Sequence, residues 1–164
     1  MTKRKPVAEI AAEMGVGLMS PHLTCEGAGE AIEFYKAAFG AEEMMRLPGP
    51  DGRLLHAAVR INGGMVMLND TYPEMGGHSP KHYGGTAVVI HLMVDDVDDV
   101  AARAVKAGAK VVMPVEDQFW GDRYGVLEDP FGHHWSIATP IWPPKSPEEM
   151  EAAAMAAMAQ MPQA

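Results

Sequence analysis

The sequence predicts an α+β protein assembled from two βαβββ modules in tandem. Three observations predict it. The chain repeats itself: HLTCEGAGEAIEFYKAAFGAE begins at His22 and HLMVDDVDDVAARAVKAGAKV at His91. Each copy has a short apolar stretch, an acidic turn, an amphipathic helix and a terminal glycine, Gly40 or Gly108, and the interval from histidine to glycine is 18 residues in one and 17 in the other. A fixed order of elements at near-fixed spacing marks a duplicated supersecondary unit. Third, each helix is followed by three runs of strand-forming residues separated by turn formers.

Residues 1–18 read as an N-terminal extension. It opens with a basic cluster, but Glu9 and Glu13 interrupt the apolar run that a secretory signal requires. The first module spans 19–70. In its helix Ala31, Ile32, Tyr35, Ala38 and Phe39 recur at helical spacing, and Gly40 supplies the left-handed conformation that ends it. Strands follow at 43–47, 53–61 and 64–70, divided by PGPDG and NGG. Alternation in the second of these puts His56, Ala58 and Arg60 on one face, and Leu55, Ala57, Val59 and Ile61 on the face toward the helix. In the third, Met65, Met67 and Asn69 share a face.

The connection 71–85 is rich in Gly, Pro and His and reads as a mobile lid. Its His78 and His82 stand four apart, a metal-compatible spacing on a helix, but Pro80 between them breaks the helix. The second module spans 86–140. Val97, Val100, Ala101, Ala104 and Val105 form its helical stripe, and strands follow at 110–115, 124–128 and 133–139 around a polar loop and the turn DPFG. Pro140, Pro143, Pro144 and Pro147 mark its end. The tail 141–164 is rich in Ala and Met. Met155, Met158 and Met161 recur every third residue, enough for one apolar stripe on a short helix. Cys25 reads as a small buried residue, and the acidic neighbour Glu26 gives it no means to become a reactive thiolate.

Composition narrows the function. Thirteen basic against 22 acidic side chains leave a net charge of −9, which disfavours nucleic acid as a partner. A single cysteine forms no internal disulfide. No apolar run is long enough for a membrane helix, so a cytoplasmic protein without a membrane partner is the expectation. Neither a Walker loop nor GxGxxG occurs, so no nucleotide cofactor is expected.

The paired modules, the helix EAIEFYKAAFGAE, the string LLHAAVRINGGMVMLND ending in Asp70 and the string FWGDRYGVLEDPFGHHWSIA together carry a family resemblance. Over about residues 19–140 the chain resembles the vicinal oxygen chelate superfamily of glyoxalases, bleomycin-resistance proteins and extradiol dioxygenases. Within it, the chain is most similar to the PhnB-like, glyoxalase-like branch. The resemblance implies a cupped mixed β-sheet formed by the two modules, with a small-molecule ligand in the cup. It also implies a homodimer and, in many members, a divalent metal such as Zn, Ni, Mn or Fe.

In metal-dependent members the ligands are two His (or Gln) and one or two Glu on the first and last strands of each module. His22 and His91, near the start of the first strand of each module, are the candidate histidine pair, while by spacing the usual ligand position lies about two residues earlier, near Ser20 and Val89. The carboxylates are missing: DPFGHHWS puts Ser136 where such members have Glu, and the first module offers Met67 or Asn69. His56, beside the small Ala58, is the candidate general acid or base of the cup. Trp120, Arg123, Tyr124, His134, Met67 and Asn69 are the candidate ligand contacts. Two classes follow from the resemblance. One is a metal-dependent lyase or isomerase acting on a small, partly apolar oxygenated molecule. The other is a non-catalytic, ligand-binding or antibiotic-sequestering protein of the bleomycin-resistance type.

Overall fold

A computed structural model describes residues 5–141 and 143–159. The first module consists of β1 (His22–Cys25), α2 (Ala28–Phe39), β2 (Glu42–Pro48), β3 (Leu54–Ile61) and β4 (Gly64–Asp70). The second consists of β5 (Val89–Met93), α3 (Val97–Ala107), β6 (Lys110–Asp117), β7 (Asp122–Glu128) and β8 (His134–Pro140). Helix α1 (Val7–Met14) precedes them and α4 (Pro147–Ala159) follows. Met161 of the anticipated tail stripe lies outside the described residues. None of the described residues of α4 is buried, and Met155 and Met158 face solvent.

Each module forms its own four-stranded mixed sheet, with strand orders β1-β4-β3-β2 and β5-β8-β7-β6. The first strand of each pairs parallel with the last, and the remaining pairs are antiparallel. The two helices stop where the sequence indicates, at Gly40 with φ 67° and Gly108 with φ 116°, a region that costs other residues steric strain.

Helices α2 and α3 pack on each other and on the inner faces of both sheets, so the two modules share one core. All five residues of the first helical stripe are buried. In the second, Val97, Val100 and Ala104 are buried, whereas Val105 is exposed. Strand alternation holds for Ala57, Val59 and Ile61, which enter the core. It fails at Leu55, which is exposed, because the ladder skips it: Leu47 pairs with His56 and Pro48 with Leu54. This bulge turns Leu54 inward in its place.

The last strand of each module fastens its helix. Asp70 Oδ1 accepts from the backbone N–H groups of Gly27 and Ala28 at 3.0 and 2.8 Å, and Oδ2 accepts from Leu54 N–H at 2.6 Å. Thr139 Oγ1 takes the corresponding place in module two, accepting from Val97 N–H at 2.9 Å. Asp70→Ala leaves three backbone donors, two of them buried, without a partner. It is expected to lower stability by about 2 kcal/mol, read as a lower urea midpoint at unchanged slope.

The connecting segment, read above as a mobile lid, makes specific contacts with the first module. Tyr72 and Gly77 exchange backbone hydrogen bonds of 2.9 and 3.0 Å, and the Arg53 guanidinium lies 4.0 Å over the Tyr72 ring. Ser79 is buried and donates to Glu26 Oε1 at 2.5 Å. Pro80–Tyr83 forms a 3₁₀ turn, on which the His78 and His82 rings stack at 3.9 Å. Face-to-face rings direct their nitrogens past one another and do not converge on a common metal ion.

Candidate functional site

With Leu23 and Cys25 committed to the core, β1 must turn His22 and Thr24 to the outer face of the first sheet. Register then assembles the face. His22 lies level with Met67, Met67 with Ala58, and Thr24 with Asn69. His56 stands on the same face and meets His22 edge to face, ring centroids 5.6 Å apart. Partial burial, and secondarily the charge of a protonated His56, hold the His22 imidazole below its ordinary pKa. Asn69 is partly spent: its amide donates to the carbonyl of Asp70 at 2.7 Å.

The second sheet presents a matching face with different chemistry. His91, equivalent to His22, shares a 2.8 Å hydrogen bond between its Nδ1 and the hydroxyl of buried Ser136. Tyr124 stacks near His91 at 6.2 Å and 19°, and Trp120 meets Tyr124 edge to face at 5.4 Å. Trp120 Nε1 donates to Asp122 at 3.0 Å. His134 faces outward as alternation requires and sits 3.4 Å from Glu128. The loop anticipated around Trp120 is a tight turn: β7 already begins at Asp122, and Gln118 N–H bonds to Asp122 O at 2.8 Å.

Two candidates meet other groups than a ligand within the chain. Arg123 is engaged by two carboxylates. Its Nε and Nη2 donate to the two oxygens of Asp98 at 2.6 and 2.8 Å, and its Nη1 donates to Asp117 at 2.9 Å. A planar guanidinium between two carboxylates has its fork filled. The donor set for a divalent metal lacks its carboxylate: the hydroxyl of Ser136, bonded to His91, stands where one would be needed. Among the described residues of one chain, no three His, Cys, Asp or Glu side chains come together.

Sequence reasoning missed two features. One is a cleft of about 760 Å³ between the modules, where His22 and Thr24 meet His78, Tyr83, Ile90 and His133. His133 is buried with Nδ1 3.4 Å from Asp129 Oδ2. No periodicity points to it, because the cleft arises from the packing of segments distant in sequence. The other is the placement of α1 over the outer face of the first sheet, where Arg60 Nη2 donates to the carbonyl of Met14 at 2.7 Å. Cys25 is inert, as expected: burial, then the charges of Asp129 and Asp70, push its thiol far above the ordinary range.

This architecture is found in other proteins. An uncharacterized protein of Mycobacterium tuberculosis is 60% identical over 126 residues, 75% of this chain and 74% of the relative. Among solved structures, TioX from Micromonospora sp. ML1 is 28% identical with a TM-score of 0.61, covering 76% of this chain and 99% of its own. TnmS3, described as an antibiotic binding protein from Streptomyces sp. CB03234, shares the fold at 24% identity and a TM-score of 0.56. That match covers 76% of this chain and 95% of TnmS3. The family model of the Glyoxalase/Bleomycin resistance protein/Dioxygenase superfamily matches residues 18–137. With the duplicated βαβββ modules already in view, the match decides the matter: the chain belongs to that superfamily.

Proposed function

We propose that the protein binds a small, partly apolar oxygenated molecule on the outer faces of its sheets and holds it without doing metal chemistry on it. The observation that carries this reading is the pairing of His22 and His56 over the soft floor of Met67 and Ala58. A neutral imidazole offers one donor and one acceptor, which suits carbonyl, hydroxyl and carboxylate oxygens. Thioether and methyl groups accept an apolar body of variable shape. The hydroxyl partner of His91 favours ligand holding over a metal-dependent lyase or isomerase. That alternative retains one support, since an imidazole kept neutral, like His22, suits general base work at neutral pH.

A thermal-shift screen of aromatic and anionic compounds tests the proposal. A ligand at about 100 times its dissociation constant stabilises by about 2.7 kcal/mol, a rise of several degrees in Tm. The rise should vanish in His22→Ala and His56→Ala. A flat screen of the wild-type chain would overturn the reading. The metalloenzyme alternative requires stoichiometric metal in the purified protein, or activity restored by Zn, Ni, Mn or Fe.

His56→Ala should also move the His22 titration upward, part of the way to the ordinary imidazole range, because it removes a repelling charge but leaves the larger cause, burial. Proton NMR of the imidazole resonances reads this directly. A downward or absent shift would show that the two rings do not interact. We further propose a homodimer: Val111 and Val112 expose apolar surface on β6, an edge strand of the second sheet, and a second copy would cover it. Sedimentation at the mass of a single chain at micromolar concentration would exclude the dimer.

A further inference from the structure

Helix α1 lies outside the residues that the family model matches. It rests on the face that carries His22, His56 and Met67. Between helix and sheet is a small cavity of about 240 Å³. Val7, Ile10, Met14 and Leu18 form its roof and sides, and Met65 and Met67 form its floor. Among the described residues, no charged side chain lines it.

The roof is lightly held. Val7, Ile10 and Met14 all retain substantial exposure, and Ala11 is the helix's buried residue. The specific tie is Arg60, on the same strand and face as His56. Its Nη2 donates to the carbonyl of Met14, one of the last-turn carbonyls that an α-helix leaves without a partner. Glu42 lies 3.7 Å from the same guanidinium and orients it from the neighbouring strand. An apolar helix face over an apolar floor, with a gap between them and one charged tie at the end, has the construction of a cover that can open.

We propose that α1 is a hinged roof over an apolar subsite of the ligand face, clipped shut by Arg60, and that this subsite takes an uncharged alkyl or aryl group of the ligand. The assignment of a ligand to the subsite rests on the binding function proposed above. The existence of the roof does not, so the two can fail separately.

Thiol labelling of the full-length chain with a maleimide tests both. Native Cys25 is fully buried and silent, and its continued silence reports that the fold is intact. Met67→Cys places a thiol beneath the roof, and Met93→Cys places one on the exposed strand β5. Met67→Cys should label about tenfold more slowly than Met93→Cys, because labelling waits for local opening. Adding Arg60→Gln should remove most of that difference while Cys25 stays unlabelled. Indole, as an uncharged aryl probe, should slow labelling at position 67 further and leave position 93 unaffected, whereas acetate should do neither.

Equal rates at positions 67 and 93 would overturn the roof. A slow position 67 that ignores Arg60→Gln would overturn the clip. Protection by acetate in place of indole would overturn the apolar ligand class. A flat thermal-shift screen beside an intact labelling contrast would defeat the binding function and leave the roof standing.

Discussion

Asp129→Ala is expected to cost about 3–5 kcal/mol of folding stability, among the largest effects of any single substitution in the chain. Asp129 is buried and collects four donors. Tyr35 Oη reaches Oδ2 at 2.7 Å and Trp135 Nε1 reaches it at 3.0 Å, while the backbone N–H groups of Phe131 and His133 both reach Oδ1 at 2.9 Å. Alanine would strand all four away from water. Asp129→Asn keeps the shape but turns one acceptor into a donor facing donors, so it should fall between the two.

The same site sets an acid limit. Burial pushes the Asp129 carboxyl upward, but the neighbouring His133 and the hydrogen bonds from Tyr35 and Trp135 outweigh it and hold the carboxyl below its ordinary range. A depressed folded-state pKa stabilises above the unfolded value, and that stability is lost as pH falls through about 4 toward the lower folded value. Urea midpoints of the wild-type chain should therefore drop as pH falls through this window, and those of Asp129→Asn should drop less. Equal slopes would show that other carboxylates set the acid limit.

Trp135→Ala should cost a similar amount, about 3–5 kcal/mol. The indole is buried, with Phe39 at 4.8 Å and Tyr35 at 5.3 Å between ring centroids. Its removal opens a cavity between the sheet of one module and the helix of the other, and also takes a donor from Asp129. The double substitution Asp129→Ala with Trp135→Ala should cost less than the two losses added together, because the hydrogen bond between them is lost only once. Additive losses in urea titrations would mean that the indole contributes by volume alone.

Much of the fold was legible because its signals are local. The glycines at 40 and 108, the helical stripe from Ala31 to Phe39 and the alternation from Ala57 to Ile61 each follow from covalent geometry and the burial of one face. The exposure of Leu55 was not legible, since a bulge is settled by the pairing of two strands. The outward facing of His22, His56 and His134 could be read from alternation. The engagement of Arg123 by Asp98 could not, because those residues stand 25 positions apart and meet only when α3 docks beside β7. The position of α1 was equally out of reach, since nothing in an eight-residue helix names the surface that it will cover.

The hydrogen bond from Tyr35 to Asp129 crosses from the first copy of the repeat to the second, and the aromatic rings of α2 rest on Phe131 and Trp135. Neither half therefore owns a finished interior. A duplicated sequence suggests two units that could melt one after the other. Here the first half supplies the hydroxyl and rings that close the interior of the second, so the duplication records ancestry while cooperativity belongs to the whole. Exchanging one half for a homologous half would succeed only if the residues on both sides of this seam travelled together.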